Sequence, residues 1–166
     1  MRTADACVYR LSTQWRFDAP LHAVWNAIAD ADRWSLWWPG VASVVLAPGD
    51  AQGLGALRRC TCRGALPLRL RFDARVTRLE PPSLIEGRTC GDLQGLGRCQ
   101  LRHAQGQTLV RFDWQVRTTG FWLNRLAPLA HALLRWNHDR LMQAGGRGLE
   151  RYLAGGTAAE IVARPE

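Results

Sequence analysis

The sequence contains no lysine: all 22 of its basic residues are arginine, set against 14 acidic residues for a formal net charge of +8. Selection for positive charge alone has no reason to exclude lysine, whereas a GC-rich coding bias does. The arginine excess is therefore read first as composition and solubility. Also missing is any apolar run near the roughly 18 residues of a membrane-spanning helix. The longest candidate, Val41 to Ala47, is strand-sized. Cysteines number five in 166 residues, too few, and odd in count, for a disulfide scaffold. Met1 to Cys7 includes Asp5 and leads into no apolar signal core, so a cytoplasmic protein with reduced thiols is expected.

Motifs for cofactor and metal chemistry are equally scarce. Cys60-x-Cys62 has neither the C-x2-C spacing nor the second ligand pair of a structural zinc site. The glycines between Gly91 and Gly97 precede no helix, so they do not form a phosphate loop. Spacing supports no Ser-His-Asp or Cys-His arrangement, and there is no internal repeat. No cofactor and no metal are expected.

What is present is a core. With 47% hydrophobic residues, a chain of this size buries about 70% of its unfolded surface, so one domain is expected. We place it at residues 1–155 and read residues 156–166 as a flexible tail. Apolar and polar residues alternate from Tyr9 to Phe17, as in a half-buried strand. Asp18 is the expected N-cap of a helix through Leu21, Val24, Trp25 and Ile28, with a short helix or turn over Asp32 to Trp38. Strands are then expected at Val41–Leu46, Gly55–Arg63, Leu68–Thr77, Leu84–Cys90, Arg98–His103 and Val110–Thr118. Gly91 to Gly97 reads as a turn or bulged strand. After Gly120 the period becomes helical to about Ala154, with Pro128 either kinking the helix or marking its start. Strands run together rather than alternating with helices, so the class is α+β with an antiparallel sheet.

This order, with the words Trp15-Arg-Phe17-Asp-Ala-Pro20, Asp32-Arg-Trp34, Trp37-Trp38-Pro39-Gly40, Gly91-Asp-Leu-Gln-Gly95, Phe112-Asp-Trp114 and Trp136-Asn-His-Asp139, resembles the START-like superfamily, polyketide cyclase/dehydratase (SRPBCC) family. The resemblance covers about Tyr9 to Leu153. It implies a helix-grip fold, a curved antiparallel sheet wrapped around a long C-terminal helix, with a cavity between the two.

Phe72, Phe112, Trp114 and Val116 are the expected cavity wall, with Cys60, Cys62 and Leu101 behind them; a closed core would use the same residues. From the helix, Leu133, Asn137 and Leu141 are candidate ligand contacts, and His103 is a candidate from the Cys99–Leu101 strand face. Asn137 interrupts an apolar stripe, so it faces either a ligand or a backbone partner. His138 and Asp139 point about 100° and 200° away from it, so the three are not expected in one pocket. His138 either lines one flank together with His131 or Met142 or sits on a solvated flank, and Arg135 with Asp139 is expected in a surface pair. Glu86 and Arg88 are candidates for pairing with Arg59 or Arg63.

Three functions compete. The first is binding or transport of a small hydrophobic molecule of lipid, isoprenoid or aromatic polyketide type. The second is cyclase/dehydratase-like catalysis in the same cavity, for which only His103, His138, Glu86 and an arginine offer proton chemistry. The third is contact with RNA, a ribosome or an anionic membrane through the stretch Arg58 to Arg78, without DNA sequence readout.

Overall fold

A computed structural model describes residues 8–119 and 127–155; the expected tail lies outside them. Strand β1 (Val8–Phe17) leads to helix α1 (Leu21–Ala29), a 3-10 turn (Ala31–Arg33) and the short helix α2 (Trp34–Trp37). Six strands follow: β2 (Val41–Ala47), β3 (Leu57–Arg63), β4 (Arg69–Glu80), β5 (Leu84–Gly91), β6 (Leu93–Ala104) and β7 (Gln107–Thr118). The long helix α3 (Ala127–Leu153) closes the described chain, with Pro128 in its first turn, where the missing N–H is tolerated.

All pairings are antiparallel, in the order β1-β7-β6-β5-β4-β3-β2. The strands form successive hairpins, while α1 and α2 carry the chain from one sheet edge to the other. This is the helix-grip architecture. Period-two alternation puts Tyr9, Trp15 and Phe17 of β1 inside and their arginine neighbours outside. In β4 the register shifts between Val76 and Arg78. That bulge returns Leu79 to the inner face, against the core.

The two halves of α3 have different jobs. Its C-terminal half packs on a slab of tryptophans: Trp15 meets Trp38 edge-on at 5.4 Å, and Trp38 stacks on Trp37 at 5.2 Å. Glycines permit the approach. A Cβ at Gly145 would run into the Trp38 indole, one at Gly148 would coincide with the Trp37 carbonyl oxygen, and one at Gly146 would lie 3.0 Å from Trp15 Nε1.

One local expectation is corrected and one alternative is decided. Asp18 does not cap α1, whose N-cap is Pro20 with no side-chain bond; Asp18 instead accepts from Gln107 Nε2 at 2.6 Å. Of the two readings of the glycine-rich stretch the strand holds, because β6 already begins at Leu93. Gly95 there has φ +157°, and a Cβ on it would strike the β7 backbone at Val116. Close strand approach accounts for that glycine.

Candidate functional site: a cavity under the N-terminal half of the long helix

Between the sheet and the N-terminal half of α3 lies a cavity of about 180 Å³. The sheet supplies Phe72 and Ala74 from β4, Phe112, Trp114 and Val116 from β7, and the thiols Cys60 and Cys62 from β3. Phe72 and Trp114 meet edge-to-face at 6.0 Å. The Trp114 ring lies across β6 because position 97 is glycine; a Cβ there would sit 3.3 Å from it. Helix α3 contributes Leu134, Asn137, His138, Leu141 and Met142.

Among the described residues no arginine, aspartate or glutamate lines the space. Arg58, which faces the concave side next to Cys60, donates instead to Asp32 at 2.6 Å. Burial pushes the Cys60 thiol up to about 11 and the Cys62 thiol up to about 12, so neither is a thiolate nucleophile near neutral pH. Among the described residues no cluster of three or more His, Cys, Asp or Glu is placed to hold a metal.

Asn137 is 5% exposed, and its Oδ1 accepts the Leu66 backbone N–H at 3.0 Å. Gly64 makes this possible, since any Cβ there would overlap the Asn137 amide. Asn137 therefore clamps the β3–β4 connection onto the helix while also reaching the cavity wall. Replacing it with leucine should orphan a buried N–H and crowd Gly64, at a cost of about 2 kcal/mol. Chemical denaturation measures this, and an unchanged midpoint would mean that the clamp carries no energy.

Of the two placements expected for His138, the lining one holds. It lines the cavity beside Asn137, and its side chain is only 16% exposed. Successive helix positions diverge, but a space wrapped around the helix receives both side chains; only Asp139 stays outside it. Nδ1 lies 3.4 Å from Asp139 Oδ1, while Nε2 is buried with no partner among the described residues. Asp139 thus faces His138 instead of forming the expected pair with Arg135.

Burial holds the His138 imidazole below its ordinary value of 6.5; Asp139 opposes this shift and Arg135 adds to it. The fold accordingly prefers the neutral ring. Its contribution to stability is complete above pH 6.5, and it is lost as pH falls, because the unfolded chain then binds a proton that the fold resists. Denaturation midpoints measured from about pH 7.5 down to 5.5 should fall less in His138→Gln than in the parent. Parallel curves would show that His138 carries no such linkage.

Of the sequence candidates, Phe72, Phe112, Trp114, Val116, Asn137 and Leu141 meet around this one space. Three do not. Leu101 is buried in the core that α1 shares, off the cavity wall, because α1 packs against β6. His103 is exposed near the β6–β7 turn, opposite Thr108. Leu133 is 46% exposed, as is Trp136, which carries Arg140 over its ring at 5.7 Å. Lining residues that sequence reasoning did not single out include Trp34 and Trp38. Trp38 is fixed by its Nε1 donating to the Leu141 carbonyl at 3.0 Å.

The arginine stretch is largely self-satisfied. Arg59 forks onto Asp73 at 2.8 and 3.0 Å, Arg75 donates to the Gly55 carbonyl, and Arg78 to Glu80. With Arg58 on Asp32, this leaves Arg63, Arg69 and Arg71 on the β3–β4 hairpin. Glu86 pairs with Arg98 at 2.6 Å, not with Arg59 or Arg63. Arg78, Glu86, Arg98 and Asp113 line up across four strands of the outer face in alternating sign.

Solved structures share this fold. The ZhuI aromatase/cyclase from Streptomyces sp. R1128 is 18% identical with a TM-score of 0.69, over 91% of this chain and 100% of that one. The protein TTHA0849 from Thermus thermophilus is 16% identical with a TM-score of 0.69, over 89% and 98%. A START superfamily protein from Mycobacterium smegmatis is 13% identical with a TM-score of 0.69, over 88% and 97%. A search of curated protein sequences gave no match. Residues 9–154 match a family description that agrees with the fold and with the cavity it encloses: the chain belongs to the polyketide cyclase/dehydrase and lipid transport family.

Proposed function

We propose that the protein binds a small hydrophobic molecule in the cavity between the sheet and α3, as a carrier or binding protein. One observation carries this reading: an aromatic-lined space of about 180 Å³ in a protein of net charge +8, with no carboxylate or guanidinium among the described residues of its wall. Apolar space of about 150 Å³ is already enough to take benzene. The four described cysteines are free, which fits a reducing compartment, and no described helix is long and apolar enough to cross a membrane.

A second reading is catalysis of the cyclase/dehydrase kind, as the family description and the ZhuI relative suggest. His138 favours it, as the one described group in the wall able to take up a proton near neutral pH. A contact with an anionic surface would use Arg63, Arg69 and Arg71, and a steep loss of binding with added salt would be its signature.

The deciding experiment uses the tryptophans in the wall, Trp34, Trp38 and Trp114. Titration with naphthalene should change their fluorescence saturably at one equivalent, and solvent extraction of protein from its native host should release an apolar molecule. A flat titration together with an empty extract would refute the proposal.

A further inference from the structure

The outer face of the sheet carries a charge pattern that the cavity does not explain. On β1, β7 and β6 the outward positions in register hold Arg10, Arg16, Arg98, Arg102, Arg111 and Arg117. Asp113 is the one acid in these three strands. Coding bias accounts for arginine in place of lysine, but it does not remove acids from a face. Arg111 is held by Asp113, Arg98 by Glu86 of β5, and Arg117 by the neutral Gln94. Asp18, just beyond β1, is already engaged by Gln107. Arg10, Arg16 and Arg102 have no partner among the described residues. The remainder of the chain cannot neutralise them, since it brings Arg2, Arg125 and Arg164 against Asp5, Glu160 and Glu166.

A groove of about 650 Å³ runs across this face from β1 to β4. Its floor is Gln14, Gln100 and Leu84, in one register row with Arg111. Arg16 and Arg102 stand on one side, flanking Leu109, and Arg98 and Arg78 on the other. Arg102 and Arg98 are four residues apart on β6, which sets the two rims ~13 Å apart. An α-helix with its side chains is ~10–12 Å across, so the groove has the width of one. From β1 to β4 the sheet spans ~19 Å, the length of about 13 helical residues.

Charge and floor together select the occupant. Leu84 is 8% exposed and Leu109 is half-buried; both lie below the arginines, so nothing apolar projects here to enter a bilayer. No Trp, Tyr or Phe takes an outward position on these three strands for bases to stack on. The row Asp113, Arg98, Glu86, Arg78 alternates in sign, whereas a polyphosphate is uniformly negative. A protein helix answers both features, with carboxylates for the guanidiniums and apolar side chains for the leucines.

We propose that this groove docks an acidic amphipathic helix of a partner protein, its carboxylates on Arg16, Arg102 and Arg111 and its apolar side chains on Leu84 and Leu109. Groove and cavity lie on opposite faces of the sheet, so both can be occupied together.

The test is fluorescence anisotropy with a labelled, stapled helical peptide of Glu, Leu and Ala, about 14 residues long. The parent should bind it saturably at one equivalent, and more tightly than oligouridylate of equal charge or phosphatidylglycerol vesicles. Arg16→Ser with Arg102→Ser should weaken peptide binding about tenfold or more. Arg135→Ser with Arg140→Ser removes the same charge from exposed positions of α3 and should change affinity less than about twofold. Equal losses in the two double variants would reduce the effect to net charge and overturn the proposal. Tighter binding of the RNA or the vesicles by the parent overturns the choice of partner, and no peptide binding refutes the groove as a docking site. The parent comparisons decide the partner class even if a variant fails to fold.

Discussion

Replacing Gly148 with alanine should lower stability by about 3 kcal/mol, although the same change in an exposed helix is worth about 1 kcal/mol in the opposite direction. The reversal follows from what the new methyl group would meet. On Gly148 it would coincide with the carbonyl oxygen of Trp37, a backbone atom at the end of α2 that cannot rotate aside. Trp37 is itself fully buried and stacked on Trp38, so the slab cannot retreat without opening the core. For a domain of this size the loss corresponds to a fall in melting temperature of roughly 10 °C. Gly146→Ala is the graded control. Its methyl meets the Trp15 indole at 3.0 Å, a side chain with some freedom to give, so the loss should be smaller. A Gly148→Ala protein as stable as the parent would mean that α3 does not seat on the tryptophan slab as described.

Filling the cavity should abolish ligand binding without unfolding the protein. Ala74 stands in the β4 wall two residues from Phe72. Phenylalanine at this position adds a benzene-sized group to a space only slightly larger than one that holds benzene. Affinity for naphthalene should fall at least about 100-fold in Ala74→Phe, while thermal stability holds or rises, since filling apolar space reverses a cavity penalty. Wild-type affinity in a folded Ala74→Phe protein would place the ligand elsewhere. Loss of folding would show that this space is too tightly packed to receive a ring.

Most of the fold could be read along the chain, because one physical rule generates it. Alternation over Tyr9–Phe17 and Leu68–Val76 states which face of each strand is dry, and the change to helical spacing after Gly120 states what covers that face. The same rule located six wall residues, among them Phe72 and Trp114. It failed where a second element covers only part of a face. Leu101 and Phe112 both face inward, yet Leu101 joins the core under α1 while Phe112 reaches the cavity as well. Leu133 belongs to an apolar stripe but is left half exposed. For His138 the sequence left two placements open, because helical angles give directions, not the width of the space into which a side chain points.

The missing lysines and the excess of arginine describe the outside of the molecule, and sequence alone was enough to say so, since period two separates a charged face from an apolar one. Sequence by itself also determined the class, the strand order along the chain and the apolar character of the interior. Only the tertiary structure decided the rest. It turned Arg58 to the concave side and onto Asp32, set Asn137 to hold a loop, and buried the Nε2 of His138 without a partner among the described residues. Each of these depends on contacts between residues far apart in the chain, such as the 71 positions between Leu66 and Asn137. Local periodicity carries no information at that range.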